Sequence, residues 1–167
     1  MLADVQVERP EEDELAQVAD LVIHAYVGGG LIAPDSPYLD ELADVRRRWL
    51  EADLLVARDR DGCLVGTVTF CRAGTPWAEI SRPGESEFRM LAVDAEARRL
   101  GVGRRLVQAC LDRSVRVGAS CLVMSTTPRM TAAHRMYERM GFVRYPDRDW
   151  SPRRGVDLWV YGRAVPG

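Results

Sequence analysis

The 167-residue chain has no lysine and no asparagine, and all 23 of its cationic side chains are arginines. The missing lysine excludes Schiff-base chemistry, a lysine general base and the Walker A phosphate loop, which requires that residue. With every cation an arginine, arginine abundance alone carries little functional weight. The formal charge is −2, from 23 cationic and 25 acidic side chains, so no overall field gathers nucleic acid. Cysteine and histidine are also scarce. Cys63, Cys71, Cys110 and Cys121 form no C-x-x-C pair, and His24 and His134 are the only histidines. No zinc-type ligand spacing results, and no metal is expected. Such thiols suit a reduced, cytoplasmic protein. No apolar run reaches about 18 residues and no cationic start leads into an apolar signal core, so neither a membrane span nor a leader is expected.

What remains is 47% apolar and 29% charged residues, ordinary for one globular core, and the length suits a single domain over residues 1–167. "VQVERP" alternates and stops at proline, which predicts a first strand. Leu15, Val18, Ala19, Val22 and Tyr26 repeat at helical spacing until Gly28–Gly30 ends the helix. A second helix is predicted at about 38–51 from Leu39, Leu42, Val45 and Trp49. "DLLVARD" and "CLVGTVTFC" predict two strands joined by a hairpin turn, and "EFRMLAV" a fourth strand. A glycine turn then opens a helix that runs to about Val117. "SCLVMSTT" predicts a buried strand, and "TAAHRMYERMGF" a helix with Thr127 or Thr131 as cap. "FVRY" and "GVDLWVYG" close the chain as strands around the loop "PDRDWSPRR". The order β-α-α-β-β-β-α-β-α-β-β predicts an α/β fold. It has one mixed, mostly antiparallel twisted sheet of about seven strands, flanked by about four helices.

The stretch "RRLGVGRRL", Arg98–Leu106, has no counterpart elsewhere in the chain. A strand that passes through a glycine turn into a helix exposes backbone N–H groups without internal partners, at the positive end of the helix dipole. Such a turn can cradle a phosphate or pyrophosphate, because glycine lets a bulky anion approach the backbone. It can equally be a plain tight turn with a solvated rim. The dinucleotide fingerprint G-x-G-x-x-G fails, since its third position is Leu106.

The flanks distinguish these readings. Arg98, Gly101 and Gly103 match Q/R-x-x-G-x-G/A; Leu91, Val93 and Asp94 match L-x-V-D before it. Ala133, Tyr137, Glu138, Gly141 and Phe142 match A-x-x-x-Y-E-x-x-G-F after it. Together they resemble the GNAT superfamily of acyl-CoA-dependent N-acetyltransferases. The resemblance spans Glu87–Phe142, and the element order agrees over nearly the whole chain. Ala95 stands where the family often has proline, and Met130 where it often has a cofactor-contacting asparagine.

The resemblance implies a GNAT-like domain that takes acetyl-CoA as co-substrate and an amine as acceptor. The amine would attack directly, through a tetrahedral intermediate, with no acyl-enzyme. Arg98, Arg99, Leu100, Gly101, Val102, Gly103 and Arg104 would hold the pyrophosphate. Leu91, Ala92 and Val93, splayed from the fifth strand, would pair with the pantetheine amides and stabilise the oxyanion. Thr127 and Met130 would add cofactor contacts. Tyr137 would protonate the departing thiolate, although its helical spacing also suits core packing. Glu87 is the first candidate for the base that neutralises the amine, often through water, and Glu85 the second; a solvent-facing carboxylate is the alternative. Cys71, Cys121, His24 and His134 read as packed or surface residues. The loops "GGGLIAPDSPY" and "PDRDWSPRRG" are free to shape the acceptor end, with Asp147, Asp149 and Trp150 as cation ligands and Trp77 as a wall, or simply as mobile surface. A catalytically silent acyl-CoA sensor of the same fold is the alternative function. No nucleic-acid or membrane partner is expected, and a homodimer is admitted without an interface to name.

Overall fold

In the computed structural model, which describes residues 4–167, each run of apolar alternation becomes a strand of one open sheet. Strand β1 (Gln6–Glu8) is followed by a 3-10 turn, Glu12–Glu14, whose three acids sit at the positive end of α1 (Leu15–Gly28). The Glu14 carboxylate reaches back to the Glu11 N–H at 2.8 Å, which satisfies an orphan donor. Leu15, Val18 and Val22 form the buried face of α1.

The single helix expected at about 38–51 is two, α2 (Tyr38–Ala43) and α3 (Val45–Glu51), broken at Asp44 with ψ 54°. The cause is Arg48. Its buried guanidinium donates to the carbonyls of Glu41 (2.7 Å) and Leu42 (2.9 Å) and closes the end of α2 in place of further helical turns. Burial lowers the Arg48 pKa to about 10.

Strands β2 (Asp53–Arg58) and β3 (Leu64–Arg72) form the expected hairpin, with the Asp59 carboxylate accepting from the N–H groups of Asp61 and Cys63. Strand β4 (Glu85–Val93) follows, then α4 (Val102–Arg116), β5 (Cys121–Thr126) and α5 (Thr131–Arg139). Strands β6 (Val143–Arg144), β7 (Trp150–Arg153) and β8 (Val156–Ala164) complete the chain. Strand β7 lies within the stretch "PDRDWSPRR", where a loop is expected. It pairs Trp150 with Leu158 and Arg153 with Val156, and its Pro152 is tolerated because β7 is an edge. The totals are thus eight strands and five α-helices rather than seven and four.

The sheet runs β1-β2-β3-β4-β5-β8-β6, with β7 on β8, and only the β4–β5 pair is parallel. Helices α4 and α5 cover one face through Leu106, Val107, Leu111 and Tyr137, over Phe70, Phe88 and Leu122. Helices α1, α2 and α3 cover the other through Val18, Val22, Leu42 and Val45. No described helix is long and apolar enough to cross a membrane.

Candidate functional site

The site begins with a defect in β4. Its register against β3 shifts between Thr67 and Thr69, and Met90 adopts φ 56° at that point. A bulge of this kind bends the strand away from its neighbour. Pairing with β5 accordingly covers only Glu85–Glu87 against Cys121–Val123, and β4 runs on to Val93 with its β5 side unpaired. Side chains and loops from both helical layers border the opening, a cleft of about 1210 Å3.

At one side of the cleft lies the glycine turn. Asp94 accepts from the Glu96 N–H (2.9 Å) and starts the short turn that leads into it. Arg99 (φ 67°) and Gly101 (φ 82°) then take left-handed conformations one residue apart. For arginine this costs about 1–2 kcal/mol, the kind of strain that clusters at ligand clamps. The first bond of α4 runs from the Arg105 N–H to the Gly101 carbonyl at 3.0 Å, and Gly101 brings no side chain to cap the turn. The N–H groups of Val102, Gly103 and Arg104 are therefore left for an anion.

Leu91, Ala92, Val93, Arg98, Arg99, Gly101, Val102, Gly103, Arg104, Thr127 and Met130 all line this one cleft. Leu100 does not; it is 53% exposed, and the turn directs it to solvent. Helix α5 starts at Thr131, later than a Thr127 cap would place it, so Thr127 and Met130 stay in the loop that borders the opening. The Thr127 hydroxyl is buried with no hydrogen-bond partner among the described residues. His134 holds the loop: its Nε2–H donates to the Thr127 carbonyl at 3.0 Å, and its ring stacks on Trp159 at 5.4 Å.

Tyr137 both packs and lines the cleft. Its ring lies 6.0 Å from Phe88, 5.9 Å from Phe142 and 6.1 Å from Tyr161. Burial pushes its phenol above the ordinary range.

The carboxylates stand differently from the sequence expectation. Glu87 is 0% exposed and does not line the cleft. Its Oε2 accepts from the N–H groups of Glu79 (3.0 Å), Ile80 (3.1 Å) and Ser81 (3.1 Å) and from the Ser81 hydroxyl (3.0 Å). A general base needs reach to the amine or to a water beside it. Glu87 is instead the anion at the centre of a backbone nest that shapes the β3–β4 connection. Glu85 is held by Arg148 through two bonds of 2.9 Å and by the Arg82 N–H at 2.8 Å. Both carboxylates thus carry structural bonds, while Glu87 Oε1 is buried with no hydrogen-bond partner among the described residues.

The acceptor-side expectations divide as well. Asp149 is taken by Arg144 (2.7 and 2.8 Å) and by the Val160 N–H, and Trp150 donates to the Ser125 hydroxyl at 3.4 Å. Trp77 is buried, with its indole N–H on Glu51. None of these, nor Asp147, lines the cleft. The lining comes instead from Tyr26, Gly29, Gly30 and Leu31 on the α1 side and Gly155, Val156 and Asp157 on the β7–β8 hairpin. Tyr26 was legible only as part of an apolar helix face; Asp157 carried no sequence signal.

An open mixed sheet, parted between its two parallel strands and bordered by free helix N–H groups, defines an α/β protein with a cleft between its helical layers. The chain belongs to the GNAT acetyltransferases: the model of the Acetyltransferase (GNAT) family matches residues 16–142. An uncharacterized N-acetyltransferase of Schizosaccharomyces pombe is 34% identical over 105 residues, 62% of this chain and 60% of that one. A mycothiol acetyltransferase of Sanguibacter keddieii is 35% identical over 106 residues, 63% of this chain and 33% of that one. The match spans less than two thirds of the length of either curated relative. Among solved structures, a GNAT-family acetyltransferase of Staphylococcus aureus Mu50 superposes with TM-score 0.77 at 15% identity, over 97% of this chain and 99% of that one. PaiA N-acetyltransferase of Thermoplasma acidophilum, in complex with coenzyme A, gives 0.75 at 11% identity, over 97% and 99%. At these identities the likeness is one of fold.

Proposed function

We propose that the chain is an N-acetyltransferase that transfers the acetyl group of acetyl-CoA to a primary amine by direct attack. The observation that carries this reading is the parting of β4 from β5 after the Glu87–Val123 pair, with the Arg98–Arg104 turn beside the opening. The residues present fit the donor: the N–H groups of Val102, Gly103 and Arg104 suit a pyrophosphate, and the open edge of β4 suits the amides of a pantetheine arm. Acetyl-CoA supplies the activated acyl group as a thioester. Leu91–Val93 offer backbone to the arm and N–H groups to the thioester oxygen. Tyr137, protonated at neutral pH as any ordinary phenol of pKa about 10 is, gives its proton to the departing sulfur. Glu87 and Glu85 act as anchors, and the proton of the amine leaves to water.

The test is thiol release from acetyl-CoA against a broad amine library, beside calorimetric titration with coenzyme A. The reading expects binding together with amine-dependent release. Binding without release on any amine would leave the silent sensor in its place.

A further inference from the structure

Six charged residues line the cleft: Arg98, Arg99, Arg104, Arg129 and Arg139 are cationic, and Asp157 alone is acidic. Asp157 is exposed on β8, just after the turn of the hairpin. Its Oδ1 accepts from the Ser151 hydroxyl at 2.6 Å, while its Oδ2 takes no hydrogen bond from a described residue. An aromatic pair borders the cleft as well, and the hairpin reaches it. Tyr26 lines the cleft and packs on Tyr38, with ring centroids 6.2 Å apart. That pair already carries a cation: the guanidinium of Arg153, on the same hairpin, lies 5.8 Å from the Tyr38 ring. Arg153 has no carboxylate within ion-pair distance among the described residues.

We propose that the acceptor carries a second cationic group, seated at the hairpin end of the cleft by Asp157 beside the Tyr26–Tyr38 pair. The proposal rests on the reading of the chain as an amine acetyltransferase and names the class of its acceptor. A carboxylate beside an ammonium raises the ammonium pKa and keeps it charged. The nitrogen held by Asp157 is therefore not the nucleophile, which must be neutral to attack. The acceptor needs two basic nitrogens, one at the carboxylate and one delivered toward Leu91–Val93. An acceptor with a carboxylate in the second position meets repulsion from Asp157.

The experiment compares kcat/KM for 1,4-diaminobutane, n-butylamine and 4-aminobutanoate at saturating acetyl-CoA, in the native chain and in Asp157→Asn and Asp157→Glu. Asparagine keeps an oxygen for Ser151, and melting temperatures verify that each variant folds. The native chain prefers the diamine to the monoamine by about tenfold or more, the scale of one charge-assisted hydrogen bond, and disfavours the amino acid. Asp157→Asn narrows the diamine-to-monoamine ratio toward one, and Asp157→Glu keeps it. An unchanged ratio in Asp157→Asn overturns the proposal, as does turnover only of amines without a second charge; both leave the acetyltransferase reading intact. Bound acetyl-CoA with no thiol released by any amine overturns the acetyltransferase reading, and this proposal with it.

Discussion

Gly103 on α4 faces Met136 on α5 across the cleft: a β-carbon at position 103 would lie 3.5 Å from the Met136 sulfur and 3.7 Å from Val93 Cγ2. Those are ordinary contact distances, so the fold does not demand glycine here. The pattern matched here admits alanine as well, and a bulkier side chain would obstruct a ligand's approach to the backbone. The γ-carbons of valine reach beyond the β-carbon toward Met136, so Gly103→Val should still fold but with a lowered melting temperature, and the folded variant should lose at least about tenfold in coenzyme A affinity, a difference of about 1.4 kcal/mol. Calorimetric titration reads the affinity. An unchanged value would dismiss the turn as the pyrophosphate cradle.

Gly66 on β3 is the opposite case. A β-carbon there would meet Leu106 Cδ1 and Val102 Cγ1 at 2.9 Å and the Ala92 carbonyl at 3.2 Å. The Leu106 and Val102 side chains of α4 pack on bare backbone at this point. Gly66→Ala crowds the Leu106 and Val102 side chains and should cost about 1–3 kcal/mol, lowering the melting temperature by about 2–4 °C for each kcal/mol. Because α4 begins at the turn, coenzyme A affinity should fall as well. A melting curve that matches the native chain would refute the close-packing account.

Glu87 separates two roles that one residue could fill. As the anchor of residues 79–81, its loss leaves three backbone N–H groups without their acceptor, and Glu87→Ala should lower stability by about 3 kcal/mol or more. Faster amide exchange at Glu79, Ile80 and Ser81 is the local signature. Glu87→Gln keeps an acceptor oxygen and should retain turnover in proportion to its folded fraction. Turnover abolished in a fully folded Glu87→Gln would restore the general-base role.

The difference between Tyr137 and Glu87 shows what the sequence could carry. The places of Tyr137 and of the turn at Gly101 and Gly103 at one cleft were legible because each is fixed by neighbours a few places away, Gly141–Phe142 in one case and Leu91–Asp94 in the other. The central sheet and both strand–helix–strand passages were legible for the same local reason. The nest around Glu87 was not, because its partners are backbone N–H groups, which leave no side-chain pattern at residues 79–81. Arg48 was hidden in the same way, reaching carbonyls that any residue supplies and so breaking a helix that propensity would continue. Asp157 enters the site only through the pairing of β7 with β8, a tertiary event that periodicity does not report.

Tyr137→Phe isolates the hydroxyl from the ring. The ring contacts with Phe88, Phe142 and Tyr161 survive the change, and no described residue hydrogen-bonds the hydroxyl, so no partner is left unpaired. Stability and the KM for acetyl-CoA should hold. The turnover number should fall by about 10²-fold, the lower range for a positioned general acid. Pre-steady-state thiol release measures the chemical step itself. A native rate there would reduce Tyr137 to a packing residue.

The Glu85–Arg148 pair gives a pH dependence with a fixed sign. Desolvation alone would raise the Glu85 pKa, but the two bonds from Arg148, the Arg82 N–H and the nearby positive charges together hold it below the ordinary carboxylate value. A group depressed in the folded state stabilises it above the unfolded pKa, about 4.3 for glutamate. That contribution fades as pH falls through the lower folded value. Arg148→Met should therefore be less stable than the native chain at pH 7, with the gap in urea midpoint narrowing below about pH 4. Part of the gap should persist, since Arg148 also donates to the Ile80 carbonyl at 2.7 Å. A gap that is constant from pH 7 to pH 3 would mean that the carboxylate charge contributes nothing and that the loop contact accounts for the whole effect.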